Sequence, residues 1–122
     1  MLNRRQALGK QGEQIAQEHL RALGYTIVEC NWRCKAGELD IIARDGNTLV
    51  FAEVRARTSD STEPAWQSIT PRKRAVLVVL AETYMSERAA NSNGLWRIDI
   101  IAVAFGRNRA PIVEHVQDAL DW

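Results

Sequence analysis

Two short acidic segments on either side of a turn carry the residues of this chain that could do chemistry. One reads Gly-Glu-Leu-Asp and ends at Asp40, and the other reads Glu-Val-Arg and begins at Glu53. Because side chains alternate along a strand, Glu38 shares a face with Asp40. Arg55 shares a face with Glu53 for the same reason. Carboxylate oxygens are the ligands that Mg²⁺ prefers, so the two segments suggest a divalent-metal site.

The turn between the segments decides whether the two carboxylates meet. Asp45-Gly46-Asn47 is a strong hairpin signal. A two-residue turn at Gly46-Asn47 places Asp40 directly opposite Glu53, and a turn one residue earlier makes them diagonal neighbours on the same face. Only a loop of odd length would separate them. Like charges that face each other destabilise a sheet, so the pair predicts a cation bound between them.

A salt-bridged sheet end is the alternative that needs no metal. The same pairing that faces Asp40 with Glu53 also faces Glu38 with Arg55, and these two would form an ion pair. Such an ion pair would account for the charged side chains of Glu38 and Arg55. It leaves Asp40 beside Glu53 unexplained unless Arg57 or a basic group from elsewhere intervenes.

The order and spacing of these motifs resemble those of a known family. Asp40 and Glu53-Val54-Arg55, thirteen residues apart across a hairpin, look like the PD-(D/E)XK nuclease motif. With Gly12-Glu13 on the first helix, the whole chain resembles the YraN-like bacterial family, which is itself similar to archaeal Holliday junction resolvases. Further matches are Asn31-Trp32-Arg33, Ala65 with Ile69 and Lys73, and Arg97-Ile98-Asp99.

The resemblance implies a metal-dependent endonuclease that hydrolyses phosphodiester bonds in nucleic acid, with DNA favoured over RNA and branched DNA as a candidate substrate. Asp40 and Glu53 would bind Mg²⁺ or Mn²⁺ directly, with the carbonyl of Val54 as a third protein ligand. Glu13 would reach in from the helix to hold a water molecule, the alternative being an ordinary surface glutamate. Glu38 would hold Arg55 in place. Junction resolvases work as dimers, which leaves a homodimer open.

Arg55 departs from the family pattern, which has lysine at this position. Lysine there orients the attacking water and stabilises developing charge, whereas arginine supplies the charge but does not release a proton. Three outcomes stay open: a slower enzyme, another lysine in the role, with Lys35 and Lys73 as candidates, or a site that binds without cutting. The last outcome makes a non-catalytic nucleic-acid or protein interaction module the alternative function.

Composition and charge favour a soluble protein of one domain. The chain has 122 residues, of which 46% are hydrophobic and 25% charged, and this predicts a single nuclease-like domain over residues 1–122. The net charge of +1 lacks the basic excess of a typical nucleic-acid binder, but the cations are clustered and thirteen of the sixteen are arginine. The residues predicted to contact nucleic acid are Arg33, Lys35, Arg57, Arg72, Lys73 and Arg74.

Neither a membrane nor a disulfide is expected. The longest uninterrupted apolar run is the seven residues 75–81, and the start of the chain lacks the apolar stretch of a signal peptide. These features predict a cytoplasmic protein without a membrane partner. Cys30 and Cys34 lack metal-ligand spacing and are predicted to be free thiols. His19 and His115 are interpreted as packed side chains, and Asp99 as the partner of an arginine.

The elements that must position these residues follow from the apolar periodicity. Helices are predicted over residues 3–23 and 71–88, with an extra turn at 65–69, loops over 59–64 and 91–94, and strands over 25–32, 38–44, 48–57, 96–105 and 112–116. The strands on either side of the turn are apolar on both faces, so they need cover on both sides. The predicted fold is α/β, a restriction-endonuclease-like mixed sheet of about five strands flanked by helices on both faces.

Overall fold

The computed structural model describes residues 2–88 and 94–120. Its elements are α1 (Arg4–Ala22), β1 (Thr26–Cys34), β2 (Gly37–Asp45), β3 (Thr48–Arg57), α2 (Glu63–Gln67), α3 (Pro71–Arg88), β4 (Trp96–Ala104) and β5 (Ile112–Val116). The predicted order of helix, three strands, helix and two strands is confirmed. The short helix α2 replaces the extra turn and shortens the loop predicted before it. Apart from Gly94, the loop predicted at 91–94 lies outside the described residues.

The five strands form one mixed sheet in the order β1-β2-β3-β4-β5. Neighbouring strands are antiparallel except β3 and β4, which are parallel. Parallel neighbours need a crossover connection, and the segment that carries α2 and α3 provides it. The predicted mixed α/β sheet is therefore confirmed.

Helices α1 and α3 cover opposite faces of this sheet. Along β3, Val50 and Ala52 pack in the apolar cluster that includes α1. Leu49 and Phe51 pack in a second cluster with α3. Because side chains alternate along the strand, β3 contributes residues to both apolar clusters. This is why the central strands are apolar on both faces.

Side-chain caps fix where the two long helices begin. Asn3 accepts a hydrogen bond from the backbone N–H of Gln6, whose side chain accepts one from the backbone N–H of Asn3. At the start of α3, the hydroxyl of Thr70 accepts from the backbone N–H of Lys73 at 3.1 Å. Thr70 therefore caps α3, and the cap sets Lys73 in the first turn of the helix.

A buried polar network joins the end of α1 to the last two strands. Asp99 is fully buried and accepts from Arg97 at 2.9 Å, as its predicted pairing with an arginine required. Its other oxygen lies 2.8 Å from Nε2 of His115. The second ring nitrogen of His115 lies 3.1 Å from Nε2 of His19. The two histidines are therefore packed and hydrogen-bonded to each other.

Two further observations concern the state of the cysteines and the length and polarity of the helices. Cys30 and Cys34 are free thiols, as predicted, and both are partly buried. None of the helices in residues 2–88 and 94–120 is long and apolar enough to cross a membrane.

Candidate functional site

Strands β2 and β3 separate before their ends, and this separation opens the sheet beside the acidic residues. Their pairing is the one predicted for a turn at Gly46-Asn47, and its last pair is Ile41 with Ala52. Beyond that pair, the backbone N–H of Val54 donates to the carboxylate of Asp40 at 2.9 Å. A side chain thus takes the place of a partner strand, and the strands diverge around it.

Asp40 and Glu53 come together where the strands diverge. Glu53 is only 4% exposed, and its carboxyl group interacts electrostatically with that of Asp40. Burial and the neighbouring charge of Glu53 raise the pKa of Asp40 to about 8, although the N–H of Val54 acts in the opposite direction. At neutral pH the Asp40 carboxyl therefore keeps a proton, which a bound cation would displace.

Two basic side chains contact the carboxylate of Glu53. Nη2 of Arg55 lies 2.9 Å from Oε2, and Nζ of Lys73 lies 3.4 Å from the same oxygen. Lys73 comes from α3, so it is the basic group from elsewhere that the metal-free alternative required. The charge of Glu53 is thus offset by protein groups as well as by any cation.

One open cavity of about 300 Å³ contains both carboxylates. Helix α1, the diverging strands and α3 each contribute to its wall. Its lining residues are Arg5, Leu8, Gly9, Glu13, Asp40, Glu53, Val54, Arg55, Ala56, Arg57 and Lys73. The structure therefore brings most of the predicted site residues together, with three carboxylates and four cations facing one space.

Glu38 does not hold Arg55, and that prediction is wrong. The carboxylate of Glu38 lies 3.1 Å from Nε of Arg33 and accepts a hydrogen bond from Asn31 at 2.7 Å. The predicted pair assumed that β2 and β3 stay paired to their ends. Because the strands diverge after Ile41, Glu38 no longer lies opposite Arg55.

Four of the residues predicted to contact nucleic acid lie outside this cavity. Arg33 lines a neighbouring depression, together with Glu38. Lys35 and Arg72 are exposed, and Arg74 is partly buried on α3. Of the two candidate replacements for the family lysine, Lys73 is therefore the one placed at the carboxylates.

Gly12 allows α1 to lie close to β3. A Cβ atom at this position would be 2.7 Å from the Cβ of Ala56, a distance that side chains do not tolerate. The close approach brings the next residue, Glu13, to the cavity wall. The Gly-Glu pair of the sequence motif therefore combines a residue that packing requires with one that lines the cavity.

Comparison with known proteins shows the family of this chain. The model of the family described as uncharacterised protein family UPF0102 matches residues 12–103. The chain belongs to this family. The match includes Gly12-Glu13 and both acidic segments, and the resemblance to the YraN-like family is confirmed.

Relatives of this UPF0102 protein match over nearly the whole chain. A UPF0102 protein of Acidothermus cellulolyticus is 42% identical over 94% of each chain. One of Streptomyces griseus is 41% identical over 95% of this chain and 98% of its own length. One of Roseiflexus castenholzii is 41% identical over 99% of this chain and 98% of its own length.

The donor atoms in this UPF0102 site suit a hard divalent cation. Asp40 and Glu53 offer carboxylate oxygens, and Val54 adds a backbone carbonyl on the same strand as Glu53. Mg²⁺ commonly binds through one or two carboxylates and keeps several waters. Within the described residues, no three His, Cys, Asp or Glu side chains converge closely enough to hold an ion. Glu13 lines the same cavity as these donor atoms.

Sequence reasoning missed Arg5 and Gly9 as cavity residues. Both lie on α1 and line the cavity with Glu13. The spacing of four residues between each of them places all three on one face of the helix. That periodicity was the signal available in the sequence.

Proposed function

We propose that this UPF0102 protein is a metal-dependent nuclease that hydrolyses phosphodiester bonds, in DNA rather than RNA. The observation that carries the proposal is the meeting of Asp40 and Glu53 in a cavity that four cations also line. A buried carboxylate beside a partly buried one is costly without a function that uses them. A bound cation would offset the carboxylates of the cavity wall, and a bound phosphate would pair with its arginines.

The arginines of the cavity support phosphate as the second ligand. Burial, together with the charges of Arg55 and Arg5, lowers the pKa of Arg57. The guanidinium of Arg57 donates to the carbonyl of Ala56 at 2.7 Å. In the part of the chain that the structure describes, no ion pair engages Arg5 or Arg57. Converging guanidinium groups without carboxylate partners favour an anion, and their forked donors match phosphate oxygens.

The metal-binding residues of the proposed mechanism are Asp40, Glu53 and the carbonyl of Val54. Mg²⁺ or Mn²⁺ bound there would polarise the phosphate and lower the pKa of a water molecule. Glu13, at the cavity wall, would accept a hydrogen bond from a water molecule and orient it. Arg55 keeps the Glu53 carboxylate in place through their 2.9 Å contact.

Lys73 supplies the ammonium group that the family pattern places at position 55. It reaches the same Glu53 oxygen as Arg55 and is partly exposed toward the cavity. A lysine ammonium can stabilise charge that develops on the phosphate and can exchange a proton, which arginine does not. Arg55 then serves in phosphate binding and in fixing Glu53.

A non-catalytic nucleic-acid module is the second candidate function. It is favoured by the ion pairs of Glu53, because Arg55 and Lys73 already offset the charge that a metal would neutralise. The net charge of +1 is also low for a protein that binds nucleic acid along an extended surface. If Glu53 stays paired, the cavity would bind a phosphate without cleaving it.

Cleavage of a substrate panel tests the proposal. Linear, flapped and four-way DNA and single-stranded RNA are incubated with the purified protein, with and without Mg²⁺ or Mn²⁺. Asp40→Asn is the matched variant, because its amide oxygen still accepts from the Val54 N–H while the ligand charge is gone. We expect metal-dependent cleavage of DNA that falls at least about 100-fold in Asp40→Asn. Cleavage that survives this substitution contradicts the assignment, and binding without cleavage supports the module.

A further inference from the structure

The side-chain amide of Asn31 bridges two carboxylates from different elements. Its Nδ2 donates to Oε1 of Glu13 on α1 at 2.9 Å and to Oε1 of Glu38 on β2 at 2.7 Å. An amide nitrogen carries two hydrogens, so one side chain can satisfy both acceptors. The partners also fix the orientation of the amide, because its oxygen in the same place would repel both carboxylates.

The backbone of Asn31 has the left-handed conformation, with φ of +55° inside strand β1. Asparagine is among the few residues other than glycine that adopt this conformation readily. Its neighbours Cys30 and Trp32 pair with Ile41 and Leu39, so Asn31 sits at the register position of Asp40. Such backbone strain persists where the surroundings require it, and here it places the amide between Glu13 and Glu38.

The amide holds Glu13 without cancelling its charge. Glu38 also has an ion pair with Arg33 at 3.1 Å. In the described residues, by contrast, no cation lies within ion-pair distance of Glu13, whose hydrogen-bond partner is the uncharged Asn31. A neutral donor restricts the side chain without forming an ion pair with the carboxyl group, which lines the cavity.

We propose that Asn31 is a positioning residue that fixes the Glu13 carboxylate at the cavity wall, ready to orient water beside Asp40 and Glu53. This inference rests on the proposed nuclease function. It predicts that the reaction depends on Asn31 although its side chain is not among the cavity-lining residues.

The bridge itself is tested without metal or substrate. Asn31→Asp keeps the size of the side chain and tolerates the left-handed backbone, but it replaces the donor with an acceptor. We expect it to lower the folded-to-unfolded ratio, measured by urea unfolding at pH 8. Adding Glu13→Gln returns a donor to the pair, so the double variant recovers about tenfold in that ratio over the value expected from additive effects. Additive effects would overturn the bridge.

The positioning role is tested on the same variants by Mn²⁺ calorimetry and cleavage kinetics. We expect Asn31→Asp to lower kcat about 10–100-fold with little change in the KM for DNA. Asn31→Gly removes the amide, keeps the backbone conformation and guards against misfolding of the first variant; it should lower kcat in the same way. An unchanged kcat in either folded variant overturns the inference. A third outcome is that the double variant shows the bridge in unfolding but the unsubstituted protein binds no Mn²⁺. That outcome would contradict the proposed nuclease function, and the positioning role would fail with it.

Discussion

At the scale of single residues, Arg55 and Lys73 share the carboxylate of Glu53, and our proposal gives Lys73 the role of the family lysine. Both side chains contact the same oxygen of Glu53, one along the strand and the other from α3. The Thr70 cap fixes the first turn of α3 and with it the position of Lys73. A lysine need not come from the strand itself to reach this carboxylate.

Removing the charge of Lys73 tests this division of roles. We expect Lys73→Met, which keeps most of the side chain's length, to lower the single-turnover cleavage rate about 100-fold. Arg55→Lys in that background should restore part of the rate, because it returns an ammonium group to Glu53. Lys35→Met is the matched control, since Lys35 is exposed and outside the cavity. Equal rates for Lys73→Met and Lys35→Met would exclude Lys73 from the reaction.

At the scale of elements, the contact between α1 and β3 sets the position of Glu13. Gly12 meets Ala56 across this contact, whereas a Cβ at Gly9 would find nothing within 4 Å. Gly12→Ala should therefore lower the free energy of unfolding by about 1–3 kcal/mol through overpacking. Gly9→Ala should raise it by about 0.5–1 kcal/mol, because alanine favours the helix. Chemical denaturation measures both, and a stable Gly12→Ala variant would contradict the close contact.

The elements show how far sequence patterns reach. The bounds of β3, α3 and β5 agree with prediction, because alternating apolar residues and the Thr70-Pro71 start define them locally. The hairpin register also follows from the short turn. The wrong prediction of a Glu38–Arg55 pair has another origin. The Asp40 carboxylate accepts a hydrogen bond from the Val54 N–H in place of a strand partner, and the two strands separate there. That competition, like the reach of Lys73 across layers, depends on three-dimensional packing that no local pattern encodes.

At the scale of the whole molecule, acid and base destabilise the protein through different groups. Burial and His115 lower the pKa of His19, so the unfolded state binds a proton that the folded state does not below about pH 6.5. Burial opposes the ionisation of Asp99, but hydrogen bonds from His115 and Arg97 lower its pKa overall. The stability that Asp99 contributes is therefore lost as the pH falls below about 4. Asp40 changes stability in the opposite direction. Because its pKa is raised to about 8, the free energy of unfolding falls as the pH rises toward that value.

The unfolding free energy between pH 6.5 and 8.5, with and without Mn²⁺, tests most directly whether Asp40 and Glu53 form a cation site. Without Mn²⁺ the folded state keeps the Asp40 proton that the unfolded state has released, so stability should fall by about 1–2 kcal/mol as the pH rises. Saturating Mn²⁺ should raise stability by about 1–3 kcal/mol at pH 8. Asp40→Asn should abolish both effects. An equal stabilisation by Mn²⁺ in the unsubstituted protein and in Asp40→Asn would contradict the site.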